Sequence, residues 1–243
     1  MAVWRLETDV AVGDWKEDEK QITWGAFWMV MKDWKNWFLV VLVYCTGAAL
    51  SVNQFFPSVI ATLGRSKYET LLLTSPPYLL SCFVMFFVCW SADRTQERYW
   101  HLTLPLWSSL IGFILVGAST NFGARYFGAM IMIPGMYVAF NLSIVWTANT
   151  IYSPPGKRAC ALAFNNAFSG LAGLYSAYLF PDGAAPRYAI ALGVNAGMLF
   201  LGIVTATIFR FVLARENKKI ILQEENETDD SRLTHPRSFR YVY

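Results

Sequence analysis

The stretch LLLTSPPYLLSCFVMFFVCW, Leu71–Trp90, runs for 20 residues without an Asp, Glu, Lys or Arg. A helix of that length, rising ~1.5 Å per residue, crosses the ~30 Å hydrocarbon layer of a bilayer. Five more charge-free runs follow the same rule: Trp37–Phe56, Leu102–Ser119, Phe127–Ala148, Ala159–Phe180 and Ala189–Phe209. In chain order the six lengths are 20, 20, 18, 22, 22 and 21 residues. The shortest, 102–119, has Pro105 in its first turn, where the missing N–H of proline is tolerated. Connections of 14, 11, 7, 10 and 8 residues leave no room for another domain, so neighbouring spans alternate in direction. The expected fold is an all-α membrane protein with six transmembrane helices over 37–209. A cytoplasmic segment, 1–36, precedes them and a mobile cytoplasmic tail, 210–243, follows.

Composition supports that reading. Of 243 residues, 55% are hydrophobic and 15% charged, with a mean hydropathy of +0.35, against about 25% charged in a soluble domain. A net charge of +3 is too small to argue for nucleic acid. Two histidines, His101 and His235, remove most metal-enzyme chemistry. Cys45, Cys82, Cys89 and Cys160 all sit inside apolar runs, which argues against a disulfide framework. No cofactor and no metal site are expected; the bilayer is the first partner.

Orientation follows from the basic residues. With both termini on one side, that side receives 16 of the 20 Lys and Arg and the other side four, Arg65, Lys67, Arg125 and Arg187. Positive loops stay cytoplasmic, so both termini are expected inside. Glu7 and Asp9 precede any apolar h-region, so no signal peptide is read at Met1. Trp24, Phe27, Trp28 and Met31 recur at helical spacing, an interfacial amphipathic helix leading into the first span.

Inside the spans the polar and helix-breaking residues are the informative ones, because unpaired polar groups in hydrocarbon are costly. Asn53 and Gln54 close the first span, Ser75-Pro76-Pro77-Tyr78 opens the second, Pro134-Gly135 and Asn141 lie in the fourth, and Asn165-Asn166 in the fifth. Kinked spans beside uncharged amides are material for a transport path; the same amides and prolines also serve ordinary helix packing. Ser169, Gly173 and Ala177 follow Asn165 on one face, and Ala189, Gly193 and Gly197 form a second small-residue stripe. Both stripes read as helix-packing surfaces. The loop after the second span holds Asp93, Arg94, Glu97 and Arg98, two acids and two bases within six residues. Such a cluster forms either a cytoplasmic gate of interlocking ion pairs or a positive-inside loop with compensating acids.

These motifs resemble a known family. Asp93-Arg94-x-x-Glu97-Arg98 is similar to the loop motif of the major facilitator superfamily. Asn53-Gln-Phe-Phe-Pro57, Trp146-x-x-Asn149-Thr150, Ser153-Pro-Pro-Gly-Lys-Arg158 and Tyr178-Leu-Phe-Pro…Ala-Pro-Arg187-Tyr188 resemble the C-terminal half of its fungal anion:cation symporter branch, the allantoate, nicotinate and vitamin permeases. Trp90-Ser91 stands where the loop motif usually has glycine, and Glu97 precedes the final base where another glycine is usual. The family has twelve spans, so the six runs correspond to spans seven to twelve.

The resemblance implies a plasma-membrane secondary carrier for a small organic anion or vitamin-like solute, with the path between two halves. The spans hold no charged residue, so charge recognition and ion coupling fall to a second half. That half is either an N-terminal six-helix unit or a second copy of this chain. The residues assigned to the path are Asn53, Gln54, Tyr78, Asn141, Asn165 and Asn166. The alternative is a truncated or subunit-like membrane protein without transport of its own. An intramembrane enzyme is disfavoured, since the runs contribute no acid or base beyond the edge residue His101.

Overall fold

The computed structural model describes residues 24–54, 67–119, 121–179, 188–226 and 241. Its described elements are α1 (Trp24–Lys32), α2 (Trp34–Leu50), a 3-10 turn (Ser51–Gln54), α3 (Lys67–Thr95), α4 (Tyr99–Ala118), α5 (Phe122–Thr150), α6 (Pro155–Gly170), α7 (Ala172–Leu179) and α8 (Ala189–Asn226). Among the described residues, five segments are long and apolar enough to cross a membrane: Trp34–Asn53, Leu71–Thr95, Tyr99–Ala118, Phe122–Thr150 and Ala189–Leu222.

The fifth charge-free run, 159–180, is the one that departs from expectation. It is divided at Leu171 into α6 and α7. There Leu171 N–H bonds Phe168 O and Leu174 N–H bonds Leu171 O, both at 3.1 Å, the i to i−3 spacing of a tightened turn. Gly170 and Gly173 flank this point, and glycine holds a helix least well among residues other than proline. Pro76 and Pro77, expected to kink or break the second span, do not break it: both lie inside α3. Two helices outrun their charge-free cores. α5 starts at Phe122, which places Arg125, assigned to a loop by its charge, in a helix and 7% exposed. α8 runs to Asn226, so the first half of the polar tail is helical, with Lys219 Nζ 2.7 Å from Glu216 Oε1 one turn away.

Packing places α5 and α2 at the centre. α3 lies against α5, and α6 against α2, giving the row α3–α5–α2–α6. α4 and α8 form a second layer, packed on each other and on α5 and α2 respectively. Trp146, Phe113 and Phe209 are the largest fully buried side chains. Phe209 of α8 stacks on Phe38 of α2 at 5.7 Å and meets Trp146 of α5 edge-on at 5.2 Å.

Close approaches fix the directions. A Cβ added to Gly112 would lie 2.7 Å from Gly128 O, and one added to Gly135 2.5 Å from Pro105 O. The two pairs run in opposite order, so α4 and α5 are antiparallel. Between α2 and α6 the pairs Asp33–Lys157 and Gly47–Ser169 run in the same order, so those helices are parallel.

Candidate functional site

Side chains on the four-helix row connect in sequence. Tyr78 of α3 meets Tyr137 of α5 edge-to-face, with centroids 6.1 Å apart. One turn on, Asn141 Nδ2 donates to Tyr137 O at 2.9 Å. A Cβ on Gly47 of α2 would lie 3.5 Å from the Phe140 ring and 2.8 Å from Ser169 Cβ of α6. Glycine at 47 is what lets the ring and the helix close in together. Tyr78, Tyr137, Phe140 and Asn141 are all half-buried, so each keeps surface available to a neighbour. This set is aromatic and uncharged.

The assigned path residues separate by placement. Tyr78 meets the Tyr137 ring across the α3–α5 contact, and Asn141 lies one turn along α5 from Tyr137. Asn166 is exposed on α6. Asn165 beside it is 1% exposed, one turn before Ser169 on the face toward α2, and neither amide atom has a partner among the described residues. Asn53 lies apart, half-buried in the 3-10 turn, with a buried Oδ1 that has no partner among the described residues. Gln54 shares that turn, and its side chain lies outside the described residues.

The charged loop has one ion pair at its centre. Arg98 Nη2 stands 2.7 Å from Asp93 Oδ1, and Arg98 is 5% exposed. With its carboxamide oxygen turned toward the guanidinium, Asn149 of α5 accepts from Arg98 Nε at 3.1 Å and Nη2 at 3.2 Å. Arg98 therefore ties the end of α3, the start of α4 and the end of α5. Arg94 lies over the Trp90 ring at 5.6 Å, and Glu97 is exposed. A second tie joins α2 to α6: Asp33 Oδ1 accepts from Lys35 N at 3.0 Å, capping α2, while its Oδ2 pairs with Lys157 Nζ at 2.6 Å.

Of the residues assigned to helix packing, Ser169 touches the Gly47 position. An added Cβ at Gly173, Gly193 or Gly197 would meet nothing within 4 Å. Among the described residues the stripe on α8 therefore has no neighbour, and the tight crossings lie at Gly47, Gly112, Gly128 and Gly135. Sequence reasoning missed Tyr137 and Phe140, which looked like ordinary apolar filling, and Asn149 as a partner of Arg98. The spacing Tyr137–Asn141, one helical turn, was the available signal for the first.

No family model matches the chain. Curated relatives do. An uncharacterized transporter of Schizosaccharomyces pombe is 30% identical over 80% of this chain and 40% of its own length. The high-affinity nicotinic acid transporter of Saccharomyces cerevisiae is 30% identical over 93% of this chain and 44% of its own length. A major facilitator-type transporter of Emericella nidulans is 30% identical over 71% and 35%. The chain thus spans less than half the length of each of these relatives.

Proposed function

From a chain whose relatives are fungal transporters of the major facilitator superfamily, we propose one six-span half of a secondary carrier for a small organic anion. In this reading α6, Leu171 and α7 together make the fifth of six spans. Pro155–Leu179 is 25 residues, ~37 Å if helical throughout. Both termini face the cytoplasm, as the distribution of basic residues favours. The second half packs on the row α3–α5–α2–α6, and the solute passes between the two.

The observation that carries this reading is the half-buried aromatic–amide cluster of Tyr78, Tyr137 and Asn141. A solute ring or chain finds aromatic faces and a neutral amide there, and its carboxylate needs charge from elsewhere. The named substrate of one relative, nicotinic acid, fits that division: a flat ring bearing one carboxylate. Arg98 and Asp93 close the cytoplasmic end as a gate, holding three helix ends together until those helices move.

Uptake of labelled nicotinate and other small carboxylates into cells expressing the chain with its second half tests the assignment. Tyr137→Ala and Asn141→Ala should lower uptake per molecule about tenfold with the amount in the membrane unchanged, since each removes contact with the solute. Unaltered uptake in both would sink it. A second reading is a subunit-like membrane protein without transport of its own. Cross-linking in native membranes separates the two, because an inert half gives no specific partner band.

A further inference from the structure

A cleft of about 440 Å3 opens between α3, α4 and α5, and its lining includes none of the aromatic–amide cluster. It exists because α3 and α4, although joined by only Gln96–Arg98, barely touch; each packs on α5 instead. Leu80, Val84 and Val88 form one wall, Leu104 and Pro105 the other, and Pro134–Gly135 the floor. From Leu80 to Val88 the wall rises about 12 Å. No acid, lysine or arginine lines it.

The rims are exposed and apolar. Leu79, Phe83 and Phe87 of α3 are 61%, 65% and 60% exposed, and Ile111 of α4 52%. At one end the character changes. His101 lines the cleft there, its Nε2 held 3.0 Å from Ser91 Oγ. Trp90 and Trp100 are exposed at the same end, and Arg94 in the last turn of α3 lies over Trp90. Exposed tryptophans mark the headgroup level of a membrane protein, and Arg is the side chain suited to a phosphate there.

We infer that this cleft is a glycerophospholipid site. One acyl chain lies between α3 and α4 on the Pro134–Gly135 floor, and an anionic phosphate sits at the Trp90–Arg94 collar. Water does not fill a slot so nearly without polar partners. A crevice continuous with the bilayer face fills from the bilayer. A chain inside it contacts three helices at once, so it gains more dispersion contacts than an annular lipid lying on one. The bound chain supplies the contact that α3 and α4 lack, and so steadies the helix that carries Tyr78. The collar faces the cytoplasmic leaflet in the orientation proposed above, where anionic lipids concentrate.

Native mass spectrometry of the full chain, purified in mild detergent and washed, reads retained lipid directly. Wild type should retain a single glycerophospholipid, with phosphatidylserine preferred over phosphatidylcholine. Val84→Trp fills the cleft from its wall, whereas Phe83→Trp alters only the rim. The first should lower retention on the order of tenfold and the second should leave it unchanged. Arg94→Gln should abolish the headgroup preference. Equal retention in Val84→Trp overturns the site, as does a retained mass matching detergent or free fatty acid. Absence of headgroup preference in wild type overturns the collar. Should Val84→Trp fail to fold, wild type decides alone, with phosphatidylserine carrying a photoreactive acyl chain. Adducts on Val84, Leu104 and Ile131 support the cleft, and adducts confined to Phe83, Phe87 and Ile111 refute it.

Discussion

The hydroxyl of Tyr126 donates to the carbonyl oxygen of Leu73 at 3.2 Å, joining α5 to α3. Leu73 lies four residues before Pro77, whose nitrogen has no hydrogen to return to that carbonyl. The tyrosine thus supplies the bond that the proline deletes, and in a bilayer no water would do so. This is one reason a helix can pass through two consecutive prolines. Tyr126→Phe should cost about 1 kcal/mol, read as a lower melting temperature of the chain in detergent. Pro77→Ala restores an N–H to the Leu73 carbonyl. In that background the same Tyr126→Phe change should cost measurably less, and equal costs in the two backgrounds would refute the compensation.

Asp33 serves two helices through separate oxygens, capping α2 and pairing with Lys157 of α6. The two roles can be taken apart. Asp33→Asn keeps a capping oxygen and loses the ion pair. With the partners 17% and 19% exposed, that loss should cost about 1–2 kcal/mol, between the values for exposed and buried pairs. Asp33→Ala should cost roughly 1 kcal/mol more, the worth of the cap. Lys157→Met should match Asp33→Asn. A melting series in which Asn and Ala are equal would remove the capping role.

At the Arg98 junction the visible ion pair is the weaker contact. Asp93 is 66% exposed, so Asp93→Asn should change stability by less than about 1 kcal/mol. Asn149 meets the buried side of the guanidinium. Asn149→Leu removes its acceptor and should cost about 1.5–3 kcal/mol, the range for hydrogen bonds to charged groups. Urea unfolding midpoints of the two variants order the contacts, and a larger loss for Asp93→Asn reverses the assignment.

What the sequence made legible was set by hydrocarbon. Five of six charge-free runs form helices of spanning length, because in lipid a long apolar run has one way to satisfy its backbone. The remaining run, the fifth, fails as a single helix at Gly170–Gly173, since apolarity specifies depth and says nothing of continuity. Helix ends were illegible for a related reason. Arg125 is buried inside α5 and Arg215 is carried along α8, although charge marked both as outside a span. Of the residues assigned to the path, Tyr78 meets the Tyr137 ring and Asn141 bonds the main-chain carbonyl of Tyr137 one turn back, and Tyr137 shows no polar pattern of its own. Asn165 and Asn166 are adjacent in sequence and opposite in fate, one buried and one exposed, because the face of α6 that meets α2 is fixed by tertiary packing.

The glycines give the sharpest contrast between pattern and packing. Gly193 and Gly197 form a regular small-residue stripe, yet an added Cβ there meets nothing among the described residues; Gly112 and Gly135 sit at the tightest crossing. A methyl group at Gly135 would overlap the Pro105 carbonyl, and one at Gly112 the Gly128 carbonyl. Both contacts are backbone, which cannot rotate away, so Gly112→Ala and Gly135→Ala should each cost about 1–3 kcal/mol. Gly193→Ala and Gly197→Ala meet nothing and gain helix propensity, so each should be neutral or more stable by up to about 1 kcal/mol. Melting curves of the isolated chain test all four. Because the second half is proposed to pack on the row α3–α5–α2–α6 and not on α8, the same α8 variants should also leave cross-linking to a partner unchanged. Destabilisation of the isolated chain by Gly193→Ala would instead place a neighbour against α8 within the chain itself.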